Sequence, residues 1–378
     1  MTAGIIGATG YAGVELIRLL SGHPEISRLY LASSSRQGQK LEDVYPNFLA
    51  KAMGESGAGS GKYNGTLEAP ESVIAVSDIV FGALPAGTGE GYAKACVERG
   101  ISYIDLSADF RFGDDGETYR AWYGKDWLYP ELRRRSVYGL PELYREKIRG
   151  LAASGPVIVG NPGCYPTAVT LAAYPVLAGK GPKPAPGAII IADAISGVTG
   201  AGREPGRAYH FPECSDSVSP YKVGSHRHTP EISRNFSLIA GTPTPVVFTP
   251  HLGPFNRGIL ATVYMALESP PDAVSEAPGP AAGLSAAEEE ARRRYADFYR
   301  NEGFVRILPA GLCAATNRVR QSNYCDISVH LDHEGRTLIA VSAIDNMVKG
   351  AAGQAVQNMN IIAGFDERSG LCAFPALF

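Results

Sequence analysis

The sequence lacks several features that assign a chain to a broad class at once. Its 378 residues contain no apolar run of membrane-spanning length, and its first residues lack the charged and apolar regions of a signal peptide. The six cysteines show no C-x-x-C spacing, which argues against a zinc site and a dense disulfide framework. The formal net charge is only -3, so nothing favours nucleic acid as a partner. We therefore expect a cytoplasmic protein with reduced thiols, no bound metal, no membrane or nucleic-acid partner, and a small-molecule ligand.

Apolar periodicity divides the chain into two parts of different character. The first part alternates short apolar strands with helical patterns, starting with the strand at 2–6, and this alternation predicts an α/β fold with a Rossmann-type, doubly wound parallel sheet. Later strands such as 258–264 have few helices between them, which predicts an α+β domain with a mixed sheet. Because a chain of this length usually forms more than one core, we expect a nucleotide-binding domain at 1–163, completed by 346–378, and a catalytic and oligomerisation domain at 164–345.

Four further segments carry local predictions. The segments 54–61 and 269–283 are rich in Gly and Ser or in Pro and Ala, which predicts surface loops. The segment 286–300 has Glu and Arg at helical spacing and predicts an exposed helix. A last helix is expected near 350–362, where it could return to pack on the first domain.

Three isolated histidines are interpreted as surface residues: His23, His330 and His333.

A glycine-rich turn at 7–13 predicts a nucleotide site. The sequence GATGYAG lies between the first strand and the first helix, where glycines permit a sharp turn and a close approach to a pyrophosphate, and where helix N-terminal amides face its charge. The G-x-x-G-x-x-G spacing departs from the commoner G-x-G-x-x-G, and the alternative is a tight turn that only packs.

The end of the second predicted strand, at 29–32, indicates which dinucleotide would bind. Residues 33–36 read Ser-Ser-Ser-Arg, without the acidic residue that would bind a ribose 2′-hydroxyl. Hydroxyls and a guanidinium suit a 2′-phosphate, so the sequence favours NADP(H) over NAD; the alternative for Arg36 is an ordinary surface charge. The candidate cofactor residues from the two segments are Gly7, Thr9, Gly10, Tyr11, Ala12, Gly13, Ser33, Ser35 and Arg36.

The segment 157–167 predicts a reactive cysteine. An apolar strand runs into Asn161-Pro162-Gly163 and delivers Cys164 just before an apolar helix. At a helix N-terminus the dipole and the unpaired amides favour a thiolate and can stabilise an oxyanion, as a nucleophile that attacks a carbonyl requires. The alternative is a buried, inert cysteine.

Two further segments offer polar groups for such chemistry. Residues 224–231 hold His226 and His228, either of which could exchange a proton with Cys164; a metal site is disfavoured because no matching ligand cluster accompanies them. Arg111 follows a predicted strand at the edge where α/β sheets bind ligands, and it could bind a phosphate. Its alternative role is an ion pair with Asp109 or Glu142.

Six ordered motifs, spread over nearly the whole chain, resemble the N-acetyl-gamma-glutamyl-phosphate reductase family, a relative of aspartate-semialdehyde dehydrogenase. They are residues 7–13 (GATGYAG), 138–142 (YGLPE), 161–167 (NPGCYPT), 196–203 (SGVTGAGR), 226–231 (HRHTPE) and 345–350 (DNMVKG). The resemblance implies an oxidoreductase of arginine biosynthesis that uses NADPH to reduce N-acetyl-glutamyl 5-phosphate to the 5-semialdehyde with release of inorganic phosphate. It also implies a homodimer or homotetramer.

The resemblance further implies roles for individual residues. Cys164 would be the nucleophile that forms a thioester, and His226 the acid/base. Additional cofactor contacts would come from Ser196, Gly197 and Asn346. Additional substrate contacts would come from Arg111, Asn161, Arg203 and His228.

Other functions remain open at the level of the sequence. The same thiolate and hydride chemistry would serve a carrier-protein-linked aminoadipyl phosphate of lysine biosynthesis, or aspartyl phosphate. Outside catalysis, a Rossmann-type chain could be a nucleotide-sensing module.

Overall fold

The computed structural model describes residues 1–49, 62–269, 286–371 and 374–377. The predicted loop at 54–61 lies outside these ranges, as does the predicted loop at 269–283 from residue 270 onward. Backbone contacts divide the chain into two compact units. The first comprises Met1–Gly163 and Ala351–Ala373, and the second comprises Cys164–Gly350 and Phe374–Phe378. Residues 346–350 and 374–378, which the sequence analysis assigned to the first domain, thus cluster with the second unit.

The first unit is built on a seven-stranded sheet in which all neighbouring strands run parallel. Its strands are β1 (Thr2–Ile6), β2 (Arg28–Ala32), β3 (Tyr63–Glu68), β4 (Ile79–Gly82), β5 (Ser102–Asp105), β6 (Ser136–Tyr138) and β7 (Ile158–Gly160). The spatial order β3-β2-β1-β4-β5-β7-β6 extends in both directions from β1, which confirms the predicted doubly wound, Rossmann-type sheet. Its helices are α1 (Tyr11–Ser21), α2 (Leu41–Val44), α3 (Pro70–Ala75), α4 (Glu90–Glu98), α5 (Gly116–Tyr123), α6 (Pro141–Ala153) and α11 (Gly353–Ala363).

Helix α11 packs into the first unit and buries several amide side chains. It contacts α1, α6 and β5, and its buried polar residues include Asn358 and Asn360. The Asn360 Oδ1 atom lies 2.9 Å from Nε2 of His23, a fully buried residue whose Nδ1 accepts a hydrogen bond from the Glu25 amide. The prediction that His23 is a surface residue was therefore wrong. A single histidine in a polar turn gives no local sign of a partner that lies 337 residues away.

The second unit contains a seven-stranded mixed sheet, which confirms the predicted α+β domain. Its strands are β8 (Ile190–Ser196), β9 (Ser219–Pro220), β10 (Val246–Leu252), β11 (Ile259–Ala266), β12 (Val305–Ile307), β13 (Cys325–Leu331) and β14 (Thr337–Ile344), in the order β12-β13-β14-β11-β8-β10-β9. Its helices are α7 (Cys164–Leu177), α8 (Phe211–Cys214), α9 (Thr229–Ala240) and α10 (Ala286–Phe298). Helix α7 packs against β11, β14, α9 and α10. It is buried around most of its circumference, as expected for a helix that is apolar on all sides.

Helix α7 contains Pro175, which cannot donate to the carbonyl of Leu171 four residues earlier. The hydroxyl of Tyr299 donates to that carbonyl at 2.6 Å, and the hydroxyl of Tyr295 donates to the Ala172 carbonyl at 2.8 Å. Since a buried carbonyl without a partner would be costly, these two tyrosines from α10 and the segment after it allow α7 to continue through the proline. They thereby stabilise the helix that begins at Cys164.

Candidate active site and cofactor site

The glycine-rich turn of the first unit has the close backbone approaches that a dinucleotide turn requires. Gly7 has a φ of +88°, and a Cβ there would lie 2.3 Å from the Ala83 carbonyl oxygen. A Cβ on Gly13 would lie 2.3 Å from the Gly7 carbonyl oxygen, so only glycine lets α1 pack this closely on the turn. Gly10 is the N-cap of α1 and provides no side-chain cap for the first-turn amides. A phosphate at this helix N-terminus would accept hydrogen bonds from those amides.

The end of β2 lies beside this turn because β1 and β2 are neighbours in the sheet. The amides of Gly7 and Ala8 both donate to the Ala32 carbonyl, and the hydroxyls of Thr9 and Ser33 are 3.4 Å apart. Ser35 is exposed, and the partly buried Arg36 donates from Nη1 to Gln39 at 3.3 Å. Tyr11 is exposed and Ala12 half-buried. The contacts of Gly7, Ala8 and Thr9 with Ala32 and Ser33 therefore place the glycine-rich turn beside the end of β2.

Arg111 and Asn161 lie at the carboxyl edge of the same sheet. The Arg111 guanidinium donates to the carbonyl oxygens of Asn161 and Leu106, at 2.8 and 2.9 Å. The Asn161 amide group donates to the Ala351 carbonyl at 3.0 Å and accepts from Asn358 at 3.1 Å. Both ends of the Asn161 side chain therefore hold the segment that leads to Cys164.

The end of β5 and the loop that leads to Arg111 contain two buried carboxyl groups, those of Asp105 and Asp109. Burial, and then the neighbouring Asp109, raise the pKa of Asp105 to about 7. The Asp109 carboxylate accepts hydrogen bonds from the amides of Gly87 and Gly89 and from the Tyr119 hydroxyl. The loop after β4 and the loop after β5 are thus joined through Asp109.

In the second unit, Cys164 is the first residue of α7 and is half-buried. Its environment differs from that of Cys96, which is fully buried and whose thiol pKa burial raises to about 12. Cys325 is also buried, whereas Cys313 is exposed. The helix N-terminus therefore distinguishes Cys164 from these other cysteines, as the sequence predicted.

His226 lies in a buried box of aromatic rings. Its ring centroid is 5.6 Å from that of Tyr165, 5.4 Å from Tyr221 and 5.5 Å from Phe248, each in an edge-to-face arrangement. Burial, and then the charges of Lys222 and Arg227, lower the pKa of His226 to about 4. The imidazole is therefore neutral near pH 7.

The neutral ring has a defined tautomer. Its Nδ1 atom accepts a hydrogen bond from the backbone amide of His228 at 3.1 Å, so the proton of the neutral ring is on Nε2. The His228 ring is 4.9 Å from that of His226 and 6.0 Å from that of Tyr165. The structure thus brings both histidines of the His-Arg-His segment against the residue that follows Cys164.

Tyr165 and Tyr221 were not among the predicted site residues. The Tyr221 hydroxyl donates to that of Tyr165, which donates to the His251 carbonyl, each at 3.2 Å. Burial raises the pKa of Tyr221 to about 12 and that of Tyr165 further, and Ser196 is a third hydrogen-bond partner of Tyr165. A signal was available in the sequence, because Tyr165 adjoins Cys164 and Tyr221 precedes His226 by five residues.

Ser196 and Gly197, two further candidates of the second unit, lie in a second cluster around Asn346. The Asn346 side chain accepts from the Gly258 amide at 2.7 Å and donates to the Thr199 hydroxyl at 3.0 Å. A Cβ on Gly200 would lie 3.0 Å from the Ser196 hydroxyl and 3.6 Å from the Asn346 amide nitrogen, so these residues are neighbours. Gly197 lies close to the Asn256 carbonyl, while Arg203 is exposed on the segment that follows.

Within the described ranges, we find no cluster of three or more His, Cys, Asp or Glu side chains that could hold a metal ion. Among the helices that the structure describes, none combines the length and the apolar character needed to cross a membrane.

Comparisons with known proteins agree with this geometry. Residues 2–151 match the family described as semialdehyde dehydrogenase, NAD binding domain, and residues 164–346 match its dimerisation domain. The chain is 44% identical over 376 residues to a Clostridium kluyveri protein named N-acetyl-gamma-glutamyl-phosphate reductase, which covers 99% of both chains. A protein of the same name from Symbiobacterium thermophilum is 45% identical and covers 97% of this chain and 96% of its own. The chain belongs to the N-acetyl-gamma-glutamyl-phosphate reductase family.

Solved structures of aspartate semialdehyde dehydrogenases share the fold. Aspartate semialdehyde dehydrogenase II from Vibrio cholerae, complexed with ASA, superposes with a TM-score of 0.68 at 15% identity and covers 96% of this chain and 98% of its own. The Candida albicans aspartate semialdehyde dehydrogenase solved with NADP gives a TM-score of 0.62 at 17% identity, with the same coverage. The chain is thus an oxidoreductase of the N-acetyl-gamma-glutamyl-phosphate reductase family with an NAD(P)-binding, Rossmann-type first unit.

Proposed function

We propose that this protein reduces N-acetyl-L-glutamyl 5-phosphate to N-acetyl-L-glutamate 5-semialdehyde and inorganic phosphate with NADPH, through a thioester on Cys164. The observation that carries the proposal is the half-buried Cys164 at the start of α7, in the unit that also holds the buried His226. Family membership supports the substrate, since the relatives that match nearly end to end bear this activity in their name.

The first step is nucleophilic attack. The Cys164 thiolate attacks the acyl carbon, the bond to the phosphate oxygen breaks, and phosphate leaves with the proton that the overall reaction consumes. The first-turn amides of α7 favour the thiolate and stabilise the charge that develops on the acyl oxygen. Arg111 is the candidate for binding the substrate phosphate, because its guanidinium is held rigidly by two backbone carbonyls.

The second step is reduction of the thioester. When bound at the glycine-rich turn, NADPH supplies the hydride that reduces the thioester carbonyl. We assign Ser33, Ser35 and Arg36 to its 2′-phosphate, and Asn346 with Ser196 and Gly197 to its nicotinamide end. The thiohemiacetal oxyanion then re-forms a carbonyl as the carbon–sulfur bond breaks, which releases the aldehyde and the thiolate.

His226 has a specific part in this step. Because Nδ1 accepts from the His228 amide, Nε2 carries a proton that can be donated in a hydrogen bond to the reacting oxygen. A low pKa suits this role, since the group must remain neutral to present one N–H rather than a charge. In the reverse direction the same N–H would stabilise the oxyanion that forms when the Cys164 thiolate attacks the aldehyde.

A homodimer is the proposed assembly. Ile191, Val247 and Tyr264 pair across β8, β10 and β11 on one face of the second sheet, and they are 45%, 48% and 37% exposed. A patch of adjacent apolar residues on a sheet face is typical of an interface, and this unit matches a dimerisation domain. Light scattering should give twice the mass of the 40.0 kDa chain, and the monomer mass should appear with Val247→Glu.

The test of the reaction runs it in reverse. Purified protein is given N-acetylglutamate 5-semialdehyde, inorganic phosphate and NADP, and NADPH formation is followed by absorbance for wild type, Cys164→Ala and the control Cys214→Ala, whose thiol is also half-buried. Phosphate-dependent activity that only Cys164→Ala loses supports the proposal. Activity only with the aminoadipyl or aspartyl analogue would replace the substrate, and binding of NADP without any turnover would favour a sensor.

A further inference from the structure

Gly350 is a buried glycine whose backbone lies against Cys164. A Cβ built on Gly350 would be 2.7 Å from the Cys164 Cβ and 3.2 Å from its Cα. Separations below 3.0 Å are essentially never seen for a real Cβ, and both atoms are held by the first turn of α7 rather than at the end of a flexible side chain. Any residue other than glycine at 350 must therefore displace Cys164 or its own segment.

This glycine is not required by an unusual backbone conformation. Gly350 does not have a positive φ, unlike Gly7 and Gly364. The constraint is therefore the space beside Cys164, not the backbone angle. An alanine could adopt the backbone of Gly350 but could not fit beside the cysteine.

The segment that carries Gly350 is rigidly held. The Gly350 amide donates to the Asp345 carbonyl at 3.0 Å, within a π-helical turn at Val348–Ala352. The fully buried Asp345 carboxylate accepts from the Met347 amide at 2.8 Å and from the Gln321 amide at 2.7 Å. A segment bound at this many points is a firm support, and π-helical turns are frequent at functional sites.

We propose that Gly350 is a positioning residue that sets the place of the Cys164 thiol for attack and for hydride transfer. The inference rests on the proposed role of Cys164 as the nucleophile. Restoring an ordinary 3.4 Å contact around an alanine would move the two backbones apart by roughly 0.7 Å, and misplacement of a reacting group by about 1 Å can reduce the rate about 100-fold.

The first test compares two glycine-to-alanine variants. Gly350→Ala should lower kcat by tenfold or more, with the KM for NADP changed less than about threefold, because the glycine-rich turn is untouched. It should also slow alkylation of Cys164 by iodoacetamide, measured on the Cys164 peptide by mass spectrometry. The control is Gly150→Ala, at an exposed position of α6 where a Cβ would meet open space, and it should leave all three values at wild-type levels. A kcat for Gly350→Ala within tenfold of wild type overturns the proposal.

The second test separates positioning from general damage. Cys164→Gly removes the atom that is 2.7 Å from the added methyl group, so Gly350→Ala should lower the Tm at least twice as much in the wild-type background as in the Cys164→Gly background. If Gly350→Ala alone does not fold, the double variant should fold. Equal losses in both backgrounds, or an unfolded double variant, would overturn the contact. If Cys164→Ala keeps its turnover, the thioester route and with it the catalytic role of Gly350 fail, while the Tm comparison still tests the contact.

Discussion

Lowering the pH from 7 to 5 is expected to destabilise the second unit through His226. Burial and two nearby cations lower the pKa of this histidine from 6.5 to about 4. A histidine with a lower pKa in the folded chain stabilises the fold above pH 6.5, and this contribution is lost as the pH falls from 6.5 towards 4 because the unfolded chain binds the proton more tightly. At about 1.36 kcal/mol per unit, the loss at pH 5 is about 2 kcal/mol.

The assay is urea unfolding of wild type and His226→Asn at both pH values. The asparagine can accept from the His228 amide but cannot be protonated in this range, so the variant should lose about 2 kcal/mol less than wild type between pH 7 and 5. The lowered pKa of buried His23 acts in the same direction in both proteins and cancels from the difference. The exposed His333 provides the control His333→Asn, which should behave as wild type.

An NMR titration of labelled histidine, with His226→Asn to assign the resonance, measures the same pKa directly. A midpoint at pH 6 or above, or an equal pH dependence of stability in wild type and variant, would refute the reasoning. The kinetic counterpart is that kcat should show no fall near pH 6.5 attributable to His226, since the ring remains neutral well below that value.

Three further changes test other parts of the structure. Arg36→Ala should raise the KM for NADPH roughly 30-fold, from the loss of about 2 kcal/mol of charge-assisted hydrogen bonding, and should leave the KM for NADH unchanged; equal effects on both cofactors would contradict the 2′-phosphate assignment. Gly13→Ala should prevent NADP binding in a fluorescence titration because its Cβ would lie 2.3 Å from the Gly7 carbonyl oxygen, and wild-type affinity would show that the turn tolerates a side chain. Glu90→Gln should lower the free energy of unfolding in urea by about 3 kcal/mol, since it breaks the 2.8 Å buried ion pair with Arg133, and a loss below about 1 kcal/mol would show that the pair contributes little.

Much of the fold could be predicted because its signals are local. The parallel sheet follows from short apolar strands that alternate with helical periods, and the turn at 7–13 follows from glycines whose spacing matches a backbone constraint. Strand β13 was not predicted. Its Asp326 and Ser328 are buried, which a local pattern does not indicate, and each has a partner from elsewhere in the chain: Arg306 donates to Asp326, and Ser328 accepts from the Ala314 amide.

The amino-acid sequence by itself determined where the reactive groups are, namely a cysteine at the start of an apolar helix and two histidines just before a later helix. Only the tertiary structure decided their chemical state. His226 is neutral because Tyr165, Tyr221 and Phe248 enclose it, and Cys164 lies against Gly350, 186 positions further along the chain. Desolvation and close packing depend on contacts between segments that are distant in the sequence, and local residue patterns do not specify those contacts.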